Sequence, residues 1–198
     1  EVLTLWNLGP TGNWMEDTGP TTYADKLAAY YTMGNHNNLG GRPADTTSQI
    51  YDRSGNGLDS TAGTTVSINK GNVLQAQGNV KHSTDVNNFG SSAIYFDGSA
   101  ANYLSIPTGA AFEGAKFGTG AFTVEGWVFP LDDGDQQNVF MSSYEVTGWI
   151  LEISQAGADS ASHSYARFRN QADGNDTITT AQGLVHLNTW AHVAVCRD

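Results

Sequence analysis

Cysteine is almost absent from this chain. Cys196 stands alone in 198 residues, so no internal disulfide can staple the fold. Long apolar runs are absent too: no stretch of about 18 apolar residues occurs, which leaves no candidate for a membrane-spanning helix. Cations are scarce, with 9 Lys and Arg against 20 Asp and Glu and a net charge of −11. Such a chain repels phosphate backbones, which argues against nucleic acid as a partner. The negative charge is dispersed rather than gathered into a tail. The five histidines, at positions 36, 82, 163, 186 and 192, have no metal-ligand spacing, and one cysteine cannot complete a zinc set. Amphipathic helical stripes and internal repeats are lacking, with at most one helical turn over Ala110–Phe117.

Aromatic and turn-forming residues are plentiful by contrast. Five Trp, eight Tyr and eight Phe make 11% of the chain, too many for a disordered tail, and 23 glycines punctuate it. A chain of this length buries about 70% of its unfolded surface as one domain, without needing disulfides or metals. Short segments rich in β-branched and aromatic residues recur between Gly, Asn, Asp and Ser clusters. They predict strands at Leu27–Met33, Thr65–Asn69, Ala93–Phe96, Tyr103–Ile106, Phe122–Phe129, Asn138–Ser142, Trp149–Ile153, Ala166–Arg169, Thr177–Thr180 and Trp190–Arg197. Many short strands with Gly-rich turns imply a two-sheet antiparallel sandwich of the jelly-roll kind rather than a βαβ fold.

Residues 1–25 form a separate segment. Val2, Leu3, Leu5, Trp6 and Leu8 open it, and Gly-Pro pairs at 9–10 and 19–20 interrupt it. It reads either as an extended arm that contacts another copy or as a first strand of the same sandwich. Two later strands are apolar on both sides. In Phe122–Phe129, Phe122, Val124 and Val128 share one face, while Trp127 and Phe129 share the other with Thr123 and Glu125. In Trp190–Cys196, Trp190, His192, Ala194 and Cys196 alternate with Val193 and Val195. A strand of this type sits centrally under cover on both sides, or it faces a binding groove.

Four segments carry a family resemblance. Ile50-Tyr-Asp-Arg-Ser-Gly-Asn-Gly-Leu-Asp resembles the D-x-S-G-N-G turn of laminin-G-like jelly rolls. Ala93-Ile-Tyr-Phe-Asp-Gly followed by Tyr103-Leu-Ser-Ile-Pro resembles their F-D-G … Y-L-x-I-P hairpin. Phe117-Gly-Thr-Gly-Ala-Phe-Thr-Val-Glu-Gly-Trp-Val and Asn188-Thr-Trp-Ala-His-Val-Ala-Val are similar to two further strands of the same modules, in the same order. The resemblance covers roughly residues 26–198 and implies a concanavalin A-like (lectin/glucanase superfamily) jelly-roll domain, of the kind found in phage virion and extracellular proteins. In those modules more strands follow the W-x-H-V-A-V strand. The domain therefore reads as incomplete at its C-terminal side, with neighbouring polypeptide expected to cover the apolar surface left over.

Candidate sites follow from residue chemistry. Calcium takes oxygen ligands from Asp, Asn and carbonyls, and Asp52, Asn56 and Asp59 in the Ser-Gly-Asn-Gly turn, with Asp97 in the hairpin, are the candidates. The competing reading has Asp52 and Asn56 capping the turn through side-chain-to-backbone hydrogen bonds. Asp132, Asp133 and Asp135 read as a solvated loop. Sugar recognition uses aromatic platforms with planar polar groups, for which Tyr144, Trp149, Tyr165 and Asn170 are the candidates, Trp149 competing as a core residue. Asn175-Asp176-Thr177 is a formal N-glycosylation sequon. Glycosidase chemistry needs two neighbouring carboxylates, yet Glu125, Glu145 and Glu152 lie singly in different segments. His192, beside Trp190, reads as a structural histidine.

The expected function is that of a non-catalytic structural or assembly subunit of a virion surface or extracellular fibre, its copies joined by strand or arm contacts. The alternative is a calcium-assisted glycan-binding adhesion module of a larger secreted or phage protein. A glycoside hydrolase is a third reading, disfavoured by the scattered carboxylates. All three place the chain outside the cell or on a virion surface, and none calls for membrane insertion.

Overall fold

The computed structural model describes residues 31, 48–50, 58–59, 67–68, 74–88, 92–105, 120–131, 136–142, 148–155, 163–170 and 176–198. Among these, all regular structure is β, and every strand pair is antiparallel. The chain divides into two compact units, Glu1–Gly114 and Ala115–Asp198.

The first unit contains β1 (Gln49–Ile50), β2 (Leu58–Asp59), β3 (Ser67–Ile68), β4 (Leu74–Gln77), β5 (Lys81–Ser83), β6 (Ala93–Tyr95) and β7 (Tyr103–Ser105). Its largest sheet runs β1-β4-β7, with β2–β3 and β5–β6 as separate pairs. Ile50 lies opposite Leu74, and both are buried, as is Val80. A turn joins β4 to β5 at Gly78, whose φ of 65° suits glycine. Here the Asn79 N–H donates to Asn102 Oδ1 at 2.8 Å, tying this turn to the entry of β7.

The second unit contains β8 (Phe122–Val128), β9 (Gln136–Ser142), β10 (Trp149–Gln155), β11 (His163–Asn170), β12 (Asp176–Thr179), β13 (Val185–His186) and β14 (Ala191–Arg197). One sheet runs β12-β11-β10-β9, with β13 also pairing β11. Leu151 pairs Phe140 but Glu152 pairs Asn138, so Val139 is the extra residue of a β-bulge. The other sheet is the β8–β14 pair, in register from Ala191 opposite Val128 to Arg197 opposite Phe122. Asn188, at φ 55°, donates its N–H to the Pro130 carbonyl at 2.8 Å, clipping the chain entering β14 to the chain leaving β8. Asparagine tolerates that left-handed backbone better than most residues.

The two sheets stack. Leu151 and Ile153 of β10, Ala166 of β11, Val185 and Val193 form the buried core. Val124, Val128, Ala191, Val195 and Phe168 pack around it. Alternate residues of β8 and β14 therefore meet alternate residues of β10 and β11, which is the sandwich that the period-2 pattern implies. Leu151, Ile153, Val185 and Val193 each contribute about 1.5–3 kcal/mol through burial. The core thins toward β12, where Ile178, opposite Phe168, is 65% exposed. The architecture is the all-β jelly-roll sandwich expected from the sequence. The predicted strands from Ala93 onward are present with shifts of a few residues at their ends. Of Leu27–Met33 only Tyr31 is among the described residues, and the segment 1–25 lies outside them.

Candidate ligand-binding face

The side of β8 and β14 turned away from the core is aromatic. Trp127 lies directly opposite His192, with ring centroids 5.2 Å apart and planes tilted by 42°. One step along the ribbon, Phe129 and Trp190 form a second tilted pair at 5.4 Å and 59°. In the other direction Glu125 reaches diagonally across, its Oε2 3.3 Å from His192 Nε2. Strand alternation explains the placement: with Val124 and Val128 facing the core, Glu125, Trp127 and Phe129 must face away. The Glu125 and His192 side chains are each about one-third exposed. Such an exposed pair contributes at most about 1 kcal/mol. This face can offer indole and phenyl rings to the apolar side of a ligand ring. It can also offer a carboxylate acceptor and an imidazole to hydroxyl groups. The strand apolar on both sides was the sequence signal for it. His192, expected to be structural, is an exposed member of this cluster.

The far side of the five-stranded sheet is charged. Glu152 alternates with Leu151 and Ile153, points away from the core, and is wholly buried. Its two oxygens are taken by Arg167 Nε and, at 2.8 Å, by Arg169 Nη2. The Arg167 guanidinium also lies 5.9 Å from the centre of the Tyr165 ring. The sheet thus separates the aromatic candidates. Tyr165 is on the charged side. Trp149 is on the core side, stacked on Phe168 at 6.1 Å, and strand alternation puts Asn170, its register partner, on that side too. Tyr144, Glu145 and the Asn175 sequon residue lie outside the described residues. Glu125 and Glu152 stand on opposite outer sides of two sheets that pack about 10 Å apart. Paired glycosidase carboxylates work at about 5–9.5 Å.

Asp97 lies in the first unit, in an open cleft lined with Asn79, Val80, Lys81 and Tyr95. Its Oδ1 accepts the Ser99 N–H at 2.9 Å and the Asn102 side-chain amide. The Ser99 N–H bond leads in holding the carboxyl below its ordinary value of 3.8, and the side-chain amides of Asn102 and Asn79 add to it. The Lys81 ammonium sits 5.8 Å from the centre of the Tyr95 ring. Of the other calcium candidates, Asp59 pairs through its backbone with Ser67, while Asp52 and Asn56 lie outside the described residues, as does the loop read as solvated at Asp132–Asp135. No cluster of three or more His, Cys, Asp or Glu side chains suited to a metal occurs among the described residues. No described helix is long and apolar enough to cross a membrane.

Fold and face together define a two-sheet jelly-roll domain with a half-buried aromatic side. A laminin-G family model, described as the concanavalin A-like lectin/glucanases superfamily, matches residues 97–198, just over half of the chain, and the chain belongs to that superfamily. The matched span runs from Asp97 through the whole second unit. Comparison with curated proteins and with solved structures gives no match.

Proposed function

We propose that the chain is a non-catalytic, lectin-like adhesion module that binds carbohydrate outside the cell through the aromatic face of β8 and β14. The observation that carries this reading is the row Glu125, Trp127–His192, Phe129–Trp190, which sets half-buried rings beside partly exposed hydrogen-bonding groups on one sheet side. The family description names both lectins and glucanases. The non-catalytic choice rests on the carboxylates: Glu152 is clamped by two guanidiniums, and Glu125 stands across the sandwich from it. The test is a glycan array probed with and without a calcium chelator, repeated with Trp127→Ala and Trp190→Ala. Binding that both substitutions abolish, while circular dichroism is unchanged, supports the reading. Silence of the unaltered protein in both conditions refutes it. Loss of signal in chelator alone would bring calcium into recognition.

One observation favours assembly as a second reading. β12 stands at the end of its sheet order among the described residues, with Ile178 65% exposed, and such a strand can pair with another copy. Concentration-dependent light scattering of the unaltered protein and of Ile178→Lys tests this. A virion or fibre role requires growth that the lysine abolishes.

A further inference from the structure

Among the described residues, the aromatic face carries a carboxylate and no Lys or Arg. The residues that β8, β14 and their flanks turn this way are Thr123, Glu125, Trp127, Phe129, Trp190, His192, Ala194 and Cys196, with no Lys or Arg among them. The arginines described in this unit are engaged elsewhere. Arg167 and Arg169 hold Glu152 on the far side of the other sheet. Arg197 donates to the Gly120 carbonyl at 3.0 Å and lies 4.9 Å from the centre of the Phe122 ring. The chain as a whole carries −11, so the long-range field has the same sign as Glu125.

We infer that Glu125 acts as a charge gate that restricts this face to uncharged hydroxylated ring ligands and rejects uronic acids and sulfated sugars. The inference rests on the carbohydrate reading above and names its ligand class. The carboxylate accepts hydrogen bonds from neutral hydroxyls. An acidic group stacked on Trp127 would instead meet like charge next to it, with no guanidinium or ammonium among the described residues of this face to offset the repulsion. His192 accompanies Glu125 at 3.3 Å and places the carboxylate beside the indole with which the imidazole is in ring contact.

The experiment is an array on which each uronic-acid oligosaccharide is printed beside its methyl-esterified, uncharged counterpart, and each sulfated one beside its unsulfated parent. The unaltered protein should bind the uncharged member at least about tenfold more tightly at low salt, with the gap narrowing as salt rises. Glu125→Gln keeps an acceptor oxygen. It should bring the ratio of uncharged to acidic binding from about tenfold or more to within about threefold, and Glu125→Lys should reverse the preference. Equal binding of both members by the unaltered protein overturns the gate and leaves the carbohydrate reading standing. Binding of neither overturns both. Loss of neutral binding in Glu125→Gln without a gain in acidic binding makes the carboxylate a plain contact and also overturns the gate.

Discussion

Glu152→Gln tests the energetics of the charged side of the sandwich directly. Glu152 is fully buried, with one oxygen on Arg167 Nε and the other 2.8 Å from Arg169 Nη2. Glutamine preserves the volume and one acceptor but removes the charge that holds two guanidiniums. Breaking a buried ion pair from one side costs about 3–5 kcal/mol, because the remaining charge is left uncompensated. The Arg167 and Arg169 side chains keep 18% and 22% of their exposure, so water relieves part of that cost and the low end applies, about 3 kcal/mol. For a domain of this size that lowers Tm by roughly 6–12 °C, a large fraction of a total stability of about 5–15 kcal/mol. Urea unfolding followed by tryptophan fluorescence measures it. The companion variant replaces Glu152, Arg167 and Arg169 together by Leu, Met and Met, and should recover most of the loss, since a well-packed apolar set is often as stable as a buried ion cluster. A Glu152→Gln protein within about 0.5 kcal/mol of the unaltered one, well under the cost of an uncompensated buried charge, would refute the assignment of Glu152 as the counter-ion.

Two further outcomes follow from the same geometry. Leu151→Ala empties the centre of the second unit's core, where Leu151 is 2% exposed, and should cost about 2–5 kcal/mol in urea unfolding. A cost below about 1 kcal/mol would mean that the two sheets do not pack there as described. The Asp97 carboxyl is held below 3.8 in the folded chain, so the loop it organises is favoured above that value and loses the contribution as pH falls through the folded value. The Ser99 amide resonance should therefore titrate with a midpoint below 3.8, and a midpoint at or above it would dissociate the carboxylate from that N–H.

The fold was legible where hydrophobic alternation was strong. Phe122–Val128 and Ala191–Arg197 announce themselves by β-branched and aromatic residues, and their pairing gives half of the sandwich. By contrast, β4 reads Leu-Gln-Ala-Gln and β5 reads Lys-His-Ser, with no β-branched residue in either. These segments are strands because neighbours pair with them, a tertiary effect that local propensity does not record. The aromatic face was half legible. The alternation put Trp127 with Glu125 and Trp190 with His192, but only register brings the two sets together. The charged cluster left a fainter trace. Arg167 and Arg169 are two apart and so share a side of β11, yet nothing local places Glu152 opposite Arg167. Residue type alone marks Tyr165, Trp149 and Asn170 as glycan candidates, and sheet alternation distributes them over two sides.

Period-2 alternation also separates the buried charged cluster of the second unit from the binding face proposed above. Each of β8, β10, β11 and β14 gives one side to the common core and the other to a distinct chemistry: aromatic and anionic on β8–β14, guanidinium-rich on β10–β11. The core between them is apolar, and the two outer sides are separated by more than the sheet spacing of about 10 Å. Arg167 and Arg169 are matched by the Glu152 carboxylate, and what field they leave in solvent falls off with a Debye length of about 8 Å at physiological salt. On the carbohydrate reading proposed above, the arginines around Glu152 therefore do little to draw an anion to the Trp127 face, and Glu125 is the charge a ligand would meet there among the described residues. The same separation lets the buried cluster vary for stability without altering what the aromatic side accepts, since distant sites without shared partners behave additively.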